Sequence, residues 1–292
     1  MYDSDKKKFL KVVSTGLVLP FLTVPVGADD ETKLAVDVKT HHIQSKILQQ
    51  KRTVHQYQAH SVKVPQHVVV AADGKNYDKS YRRVLAAMAS NPKCQSVTIL
   101  AVENPNRGDD FTPPYEKYGK PGHKKQGHAD RYLDFLKKEI LQVQAKPWKV
   151  GEKLSYYAMG HSWGGAFVAY ALSEHKETVA KEADLPQFKG YFMFSPTVIY
   201  RQTAEQSAAQ MIANFNKNMS AVTVKPDFVV MTAGGAEPEK FRAPYPVLKQ
   251  AYTHVLKDQS DLHFQLHDKV GHFETLDHSI DHAFNQAFCS SE

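Results

Sequence analysis

The chain has 292 residues, 42% of them hydrophobic, enough apolar material to pack one large α/β domain or two small ones. Its formal net charge of +6 is mild, with no long Lys/Arg run and no nucleic-acid module, which argues against a nucleic-acid partner. Cys94 and Cys289 stand in no C-x-x-C spacing, so redox and zinc-thiolate chemistry find no support.

In chain order, residues 1–28 read as a secretory signal peptide. Lys6, Lys7 and Lys8 precede an uncharged stretch from Val12 to Val26, and Val26-Gly27-Ala28 offers small residues for cleavage. That stretch is interrupted by Ser14, Thr15, Pro20 and Thr23, and is too short and too polar for stable membrane insertion. The expectation is export, secreted or periplasmic, with residues 29–292 as a single domain. An exported chain can pair its two cysteines, but their separation in sequence leaves the pairing open.

A polar lead-in follows, with a short strand near His42-Ile43-Gln44-Ser45 and an antiparallel edge strand over Arg52 to Tyr57. Then the pattern becomes regular. Val68 to Ala72 is an apolar run ending at Asp73-Gly74, and Tyr77 to Ser90 has helical spacing. Val97 to Val102 is the next apolar run, and residues 104–126 read as a long surface loop. Gly127 to Val143 is an amphipathic helix. Leu154 to Met159 reads as a buried strand and Ala166 to Leu172 as a helix. Further strands are expected at Tyr191 to Phe194, Phe228 to Met231 and Leu262 to Leu266, with helices near 203–214, 244–257 and 274–288. Apolar runs alternating with helices imply an α/β fold, a mostly parallel central sheet with helices on both faces. In such a sheet the site lies at the carboxyl edge of the strands.

Between the strand and helix of the central unit stands Gly160-His161-Ser162-Trp163-Gly164-Gly165. Strand, sharp turn with serine at its tip, helix: this is the context that makes G-x-S-x-G a nucleophile elbow. A serine hydroxyl is a poor nucleophile at neutral pH and needs a base, which in turn needs an acid partner. His272, in the loop after the last strand, is the candidate base. Glu237, just after the penultimate strand, is the candidate acid, with Glu239 or a Ser–His dyad as alternatives. The oxyanion that forms needs donors, for which the backbone N–H of Trp163 and the loop at Gly74 are the candidates. Arg107 and Tyr77 are candidate substrate-binding residues, Arg107 for an anionic group, and Tyr77 with Tyr115, Tyr118 and Trp163 for an aromatic pocket. A competing arrangement for zinc is His278 and His282 on one helical face with His272 and Asp277 nearby, but it lacks the glutamate of H-E-x-x-H, so no metal is assigned.

With these residues placed, the chain resembles the Putative esterase family of α/β-hydrolases, which includes esterase D-like enzymes and trilactone siderophore esterases. The similarity spans roughly residues 40–288. It rests on Asp73-Gly74, on Asn104 and Arg107 before Asp110-Phe111-Thr112-Pro113, and on Gly127-His128-Ala129-Asp130. Gly160 to Gly165, Phe194-Ser195-Pro196, Gly234 to Glu237 and Gly271-His272 complete the series. His128 stands where the family more usually has glycine. The resemblance implies an α/β-hydrolase fold with Ser162 as nucleophile, His272 as base and an acid that falls on Glu237. It also implies hydrolysis of a carboxylic ester through an acyl-enzyme, with no cofactor. The substrate is expected to be a small-molecule or polysaccharide-linked ester. An acyltransferase, or a binding protein that keeps the hydrolase shell, is the alternative on the same fold.

Overall fold

The computed structural model describes residues 35–114, 127–144, 154–175, 185–198, 203–222 and 224–290. The expected signal peptide, Tyr115 and Tyr118 lie outside them. Eight strands form one sheet: β1 (Val36–Ser45), β2 (Gln50–Ala59), β3 (His67–Ala72), β4 (Val97–Val102), β5 (Ser155–His161), β6 (Phe188–Phe194), β7 (Phe228–Gly234) and β8 (Asp261–His267). Their order is β1-β2-β4-β3-β5-β6-β7-β8. β1, β2 and β4 pair antiparallel, and every pairing from β4 through β3 to β8 is parallel.

The parallel strands are short and apolar because both of their faces are covered. Successive side chains alternate between faces. Val68, Val70 and Ala72 of β3 enter one core with Tyr191 and Met193 of β6, while Val69 and Ala71 enter the other with Phe192 and Phe194. The second core is closed by α1 (Asp78–Ala89), which contributes Tyr81, Val84, Leu85 and Met88, and by the C-terminal helix (Thr275–Phe288), which contributes Leu276, Ile280, Ala283, Phe284 and Phe288. Both sets follow the three-and-four spacing of one helical face. The first core takes the helices in between: α2 (Arg107–Phe111), α3 (Ala129–Phe135), α4 (Trp163–Ser173), α5 (Ala204–Met219) and α7 (Pro244–Leu256). A single turn, α6 (Glu239–Arg242), precedes α7, and the C-terminal helix is α8. Among the described residues no helix is long and apolar enough to cross a membrane.

Three sequence expectations need correction. β2 is an interior strand, bonded to β1 on one side and β4 on the other, so Arg52 to Tyr57 is not the edge. The edge belongs to the ten-residue β1, whose half-exposed, largely polar side chains leave little apolar signal. The stretch expected as a long loop carries α2, and α3 continues as a π-helix over Leu136–Gln144. α2 is fastened from β2: the buried Arg52 guanidinium donates to both Asp110 carboxylate oxygens, at 2.7 and 2.8 Å. The sequence shows no such signal because the partners are 58 residues apart.

Candidate active site

Five parallel strands end at one edge, and each delivers a polar side chain there: Asp73 after β3, Ser162 after β5, Ser195 after β6, Glu237 after β7 and His272 after β8. Ser162 occupies a backbone conformation that non-glycine residues rarely adopt, φ 58°, ψ −119°. Such residues cost on the order of 1–3 kcal/mol and persist only where the surroundings hold them. Here its N–H donates to the Phe194 carbonyl at 3.0 Å, and its carbonyl accepts from the Ala166 and Thr197 amides at 2.9 and 3.1 Å. The turn is so tight that a Cβ on Gly160 would collide with the Gly164 carbonyl, which explains the first glycine of the pentapeptide.

The Ser162 hydroxyl lies 2.8 Å from His272 Nε2, and His272 Nδ1 lies 2.9 Å from Glu237 Oε2. In this arrangement Ser162 donates to His272, and the imidazole Nδ1–H donates to the carboxylate. The Glu237 side chain is fully buried and His272 is 7% exposed. Glu237 is surrounded by donors: the Ser195 hydroxyl at 2.5 and 2.6 Å, the Gly234 amide at 2.6 Å and the Thr275 hydroxyl at 3.0 Å. Burial pushes the carboxyl pKa up. The hydrogen bonds from His272, Ser195 and Gly234 outweigh that, and hold it at about 2. Glu239, the other candidate acid, is 79% exposed and paired with Arg242, so the structure brings Glu237 and not Glu239 to the histidine.

His272 is also held from behind. The His161 ring fills the space beside it, with centroids 4.9 Å apart. His161 Nε2 donates to the His272 carbonyl at 2.7 Å, and its Nδ1 accepts from the Tyr77 hydroxyl at 2.7 Å. Burial, then the nearby His272, lower the His161 pKa to about 4, so it stays neutral and keeps the tautomer these two partners require. The Phe241 ring also lies against His272, with centroids 4.6 Å apart.

The remaining sequence candidates fall as follows. Trp163 opens α4, where a first-turn amide has no intrahelical acceptor and remains available to an oxyanion. Gly74 opens a 3-10 turn at φ 55°, beside the first turn of α4: a Cβ on Gly164 would meet Asp73 Oδ2 at 2.7 Å. Packing also requires glycine at position 74. A Cβ there would approach Glu103 Cα to 2.8 Å, so the tight neighbour is the end of β4. Tyr77 spends its hydroxyl on His161 instead of lining an open aromatic pocket. Arg107 is not a free cation for an anionic group. Its Nε lies 2.5 Å from the buried Asp73 carboxylate, and its guanidinium rests 5.7 Å from the Trp163 ring and 5.8 Å from Phe111. It therefore neutralises Asp73, whose pKa is raised by burial and drawn back by this arginine, and props Trp163, which is 47% exposed. Asp277, of the zinc alternative, bonds the Ser80 hydroxyl. Among the described residues no three His, Cys, Asp or Glu side chains gather as a metal site.

Sequence reasoning missed Ser195, Thr275 and the positioning of His161. The signal for Ser195 was present: a serine ending a buried parallel strand at the edge that carries Ser162. A polar cleft lined by Lys51, Thr53, Asp73, Asn76, Glu103 and Asn104 opens beside the Gly74 turn.

Residues 45–198, more than half of the chain and including the serine turn, match the family described as Putative esterase. The chain belongs to the Putative esterase family. Membership places it among the esterases, and the sheet order and serine turn are those of the α/β-hydrolase fold. Three solved structures are similar to this family member over most of its length. The BES protein from Bacillus cereus aligns with a TM-score of 0.66 at 17% identity, covering 94% of this chain and 98% of its own. The siderophore hydrolase EstB from Aspergillus nidulans aligns with a TM-score of 0.66 at 14% identity, covering 86% and 94%. An IroE-like serine hydrolase from Shewanella oneidensis aligns with a TM-score of 0.65 at 18% identity, covering 86% and 80%. No curated protein sequence matches the chain.

Proposed function

We propose that this esterase is an exported serine hydrolase that cleaves carboxylic esters through an acyl-enzyme. The observation that carries the reading is the unbroken chain Ser162 Oγ–His272 Nε2 at 2.8 Å and His272 Nδ1–Glu237 Oε2 at 2.9 Å, built at the turn of a strained serine. Ser162 attacks the ester carbonyl and gives its proton to His272. Glu237 holds the imidazole orientation and stabilises the imidazolium. The Trp163 amide, with an amide of the Gly74 turn, receives the oxyanion. His272 protonates the leaving alcohol, then activates the water that frees the acid and restores Ser162. No cofactor enters these steps.

The substrate is a small-molecule or polysaccharide-linked ester. A siderophore hydrolase among the structural neighbours supports the small-molecule choice. Residues 1–28 direct export to the periplasm or the exterior, with cleavage near Ala28. The disulfide joining Cys94 to Cys289 supports an oxidising destination. The test is hydrolysis of a panel of p-nitrophenyl, siderophore-type and feruloyl esters by the wild type and Ser162→Ala. The proposal expects turnover of at least one ester and a loss of at least about 10³-fold in the variant. A fully active Ser162→Ala rejects it.

A further inference from the structure

Ser195 is buried, 1% exposed, and takes no part in the proton transfers described above, although its hydroxyl donates to Glu237. Its hydroxyl oxygen stands 2.6 Å from Glu237 Oε1, 2.5 Å from Glu237 Oε2 and 2.9 Å from His272 Nδ1. One proton and two lone pairs match this position well. The O–H donates to the carboxylate, and the oxygen accepts a share of the Nδ1–H that also points at Glu237 Oε2. Three polar atoms thus close a triangle around the proton that sets the His272 tautomer.

The backbone gives an independent indication. Ser195 sits at φ 47°, in the left-handed region, with its N–H donating to the Thr232 carbonyl at 2.8 Å. Glycine would take this conformation without strain, whereas a residue with a Cβ does so at a cost. A serine here accepts strain that a glycine would avoid, and its hydroxyl is the only group it adds besides that Cβ. Being closed off from solvent, the hydroxyl does not reach substrate.

Resting on the proposed Ser162–His272–Glu237 reading, we propose that Ser195 is a positioning residue: its hydroxyl locks the carboxylate of Glu237 and the Nδ1 edge of His272 into one relative orientation. When His272 takes the proton from Ser162, charge builds on the Nδ1–H. Both of its acceptors then strengthen without having to reorganise.

The experiment compares wild type, Ser195→Gly, Ser195→Ala and Ser162→Ala. The readouts are kcat and KM on a p-nitrophenyl ester, the thermal midpoint, and the downfield proton resonance of the imidazole Nδ1–H. Both Ser195 variants lack the hydroxyl, but only glycine relieves the backbone. The inference expects kcat to fall about 10- to 100-fold in both, the usual worth of a hydrogen bond to a charged group, with KM within threefold. The glycine variant keeps the wild-type thermal midpoint or exceeds it, and the resonance shifts or broadens in both. A glycine variant with kcat within threefold of wild type, an unmoved resonance, or a loss confined to one variant overturns the inference. Activity surviving in Ser162→Ala overturns the underlying reading instead, so the two failures are distinguishable.

Discussion

Glu237 holds His272 within reach of the Ser162 hydroxyl, and it does so from a loop that also carries Glu239. The serine turn is legible because its chemistry is contiguous: glycine where a Cβ would collide, serine at the tip, an apolar strand before and an apolar helix after. The choice between Glu237 and Glu239 is not, because the two stand only two residues apart and the loop's path decides it. Arg242 settles that path, donating from Nε to the Glu237 carbonyl and from a terminal nitrogen to the Glu239 carboxylate. The partners of Arg107 and Tyr77 are hidden for a similar reason: their polar groups meet Asp73 and His161, which lie far off in sequence. Glu237→Gln keeps the side-chain shape but turns an amide donor toward groups that already donate. Its kcat should fall by about 10²–10⁴-fold with little change in KM, the loss that follows when the imidazole tautomer and its charge are no longer supported. Steady-state kinetics of the purified variant checks this, and a fall of less than threefold would mean that His272 works without an acid.

Strands and helices that face a core on a regular spacing were readable in order along the chain. Elements defined by pairing were not. β1 is polar and half-exposed, yet it forms ten residue pairs with β2, a pairing that no local pattern announces. The disulfide is a second case. Cys94 and Cys289 are 195 residues apart, and only the fold brings the end of α8 against the segment after α1. Two backbone bonds flank the junction, from Gln95 N to the Phe288 carbonyl and from Ser290 N to the Lys93 carbonyl. This staple pins the far end of the helix whose first turn follows His272. Reducing it, or replacing Cys94 with Ser, should lower stability by about 2–4 kcal/mol. For a chain of this size that is a drop of roughly 5–15 °C in thermal midpoint. Thermal unfolding with and without dithiothreitol measures it, and an unchanged midpoint would show that the bridge is not a constraint.

Across the molecule, the carboxyl edge of the sheet collects polar residues from five strands, and buried ionisable groups there and elsewhere in the fold set the acid stability. His161 is buried and neutral, with a pKa lowered to about 4, and burial lowers His67 and His175 in the same direction. In the unfolded chain these histidines take protons near their ordinary value of 6.5, before the folded protein does. Their contribution is therefore complete above pH 6.5 and declines as pH falls below it, that of His161 being lost through about 4. Glu237 acts in a lower window. Its pKa is held down at about 2, so its stabilisation is present above the ordinary carboxylate range and lost as pH falls through about 2. The thermal midpoint should accordingly drop between pH 7 and 4, and His161→Asn should show a shallower drop. A midpoint constant over that range would contradict the burial of these rings.

The central claim is that the Ser162 hydroxyl, activated by His272, is the nucleophile. A fluorophosphonate probe, with the adduct mapped by mass spectrometry, tests it most directly. The account predicts one adduct, on Ser162, with ester hydrolysis lost in step with labelling and no labelling of Ser162→Ala. An adduct on another residue while Ser162 stays unmodified, with activity lost all the same, would contradict it.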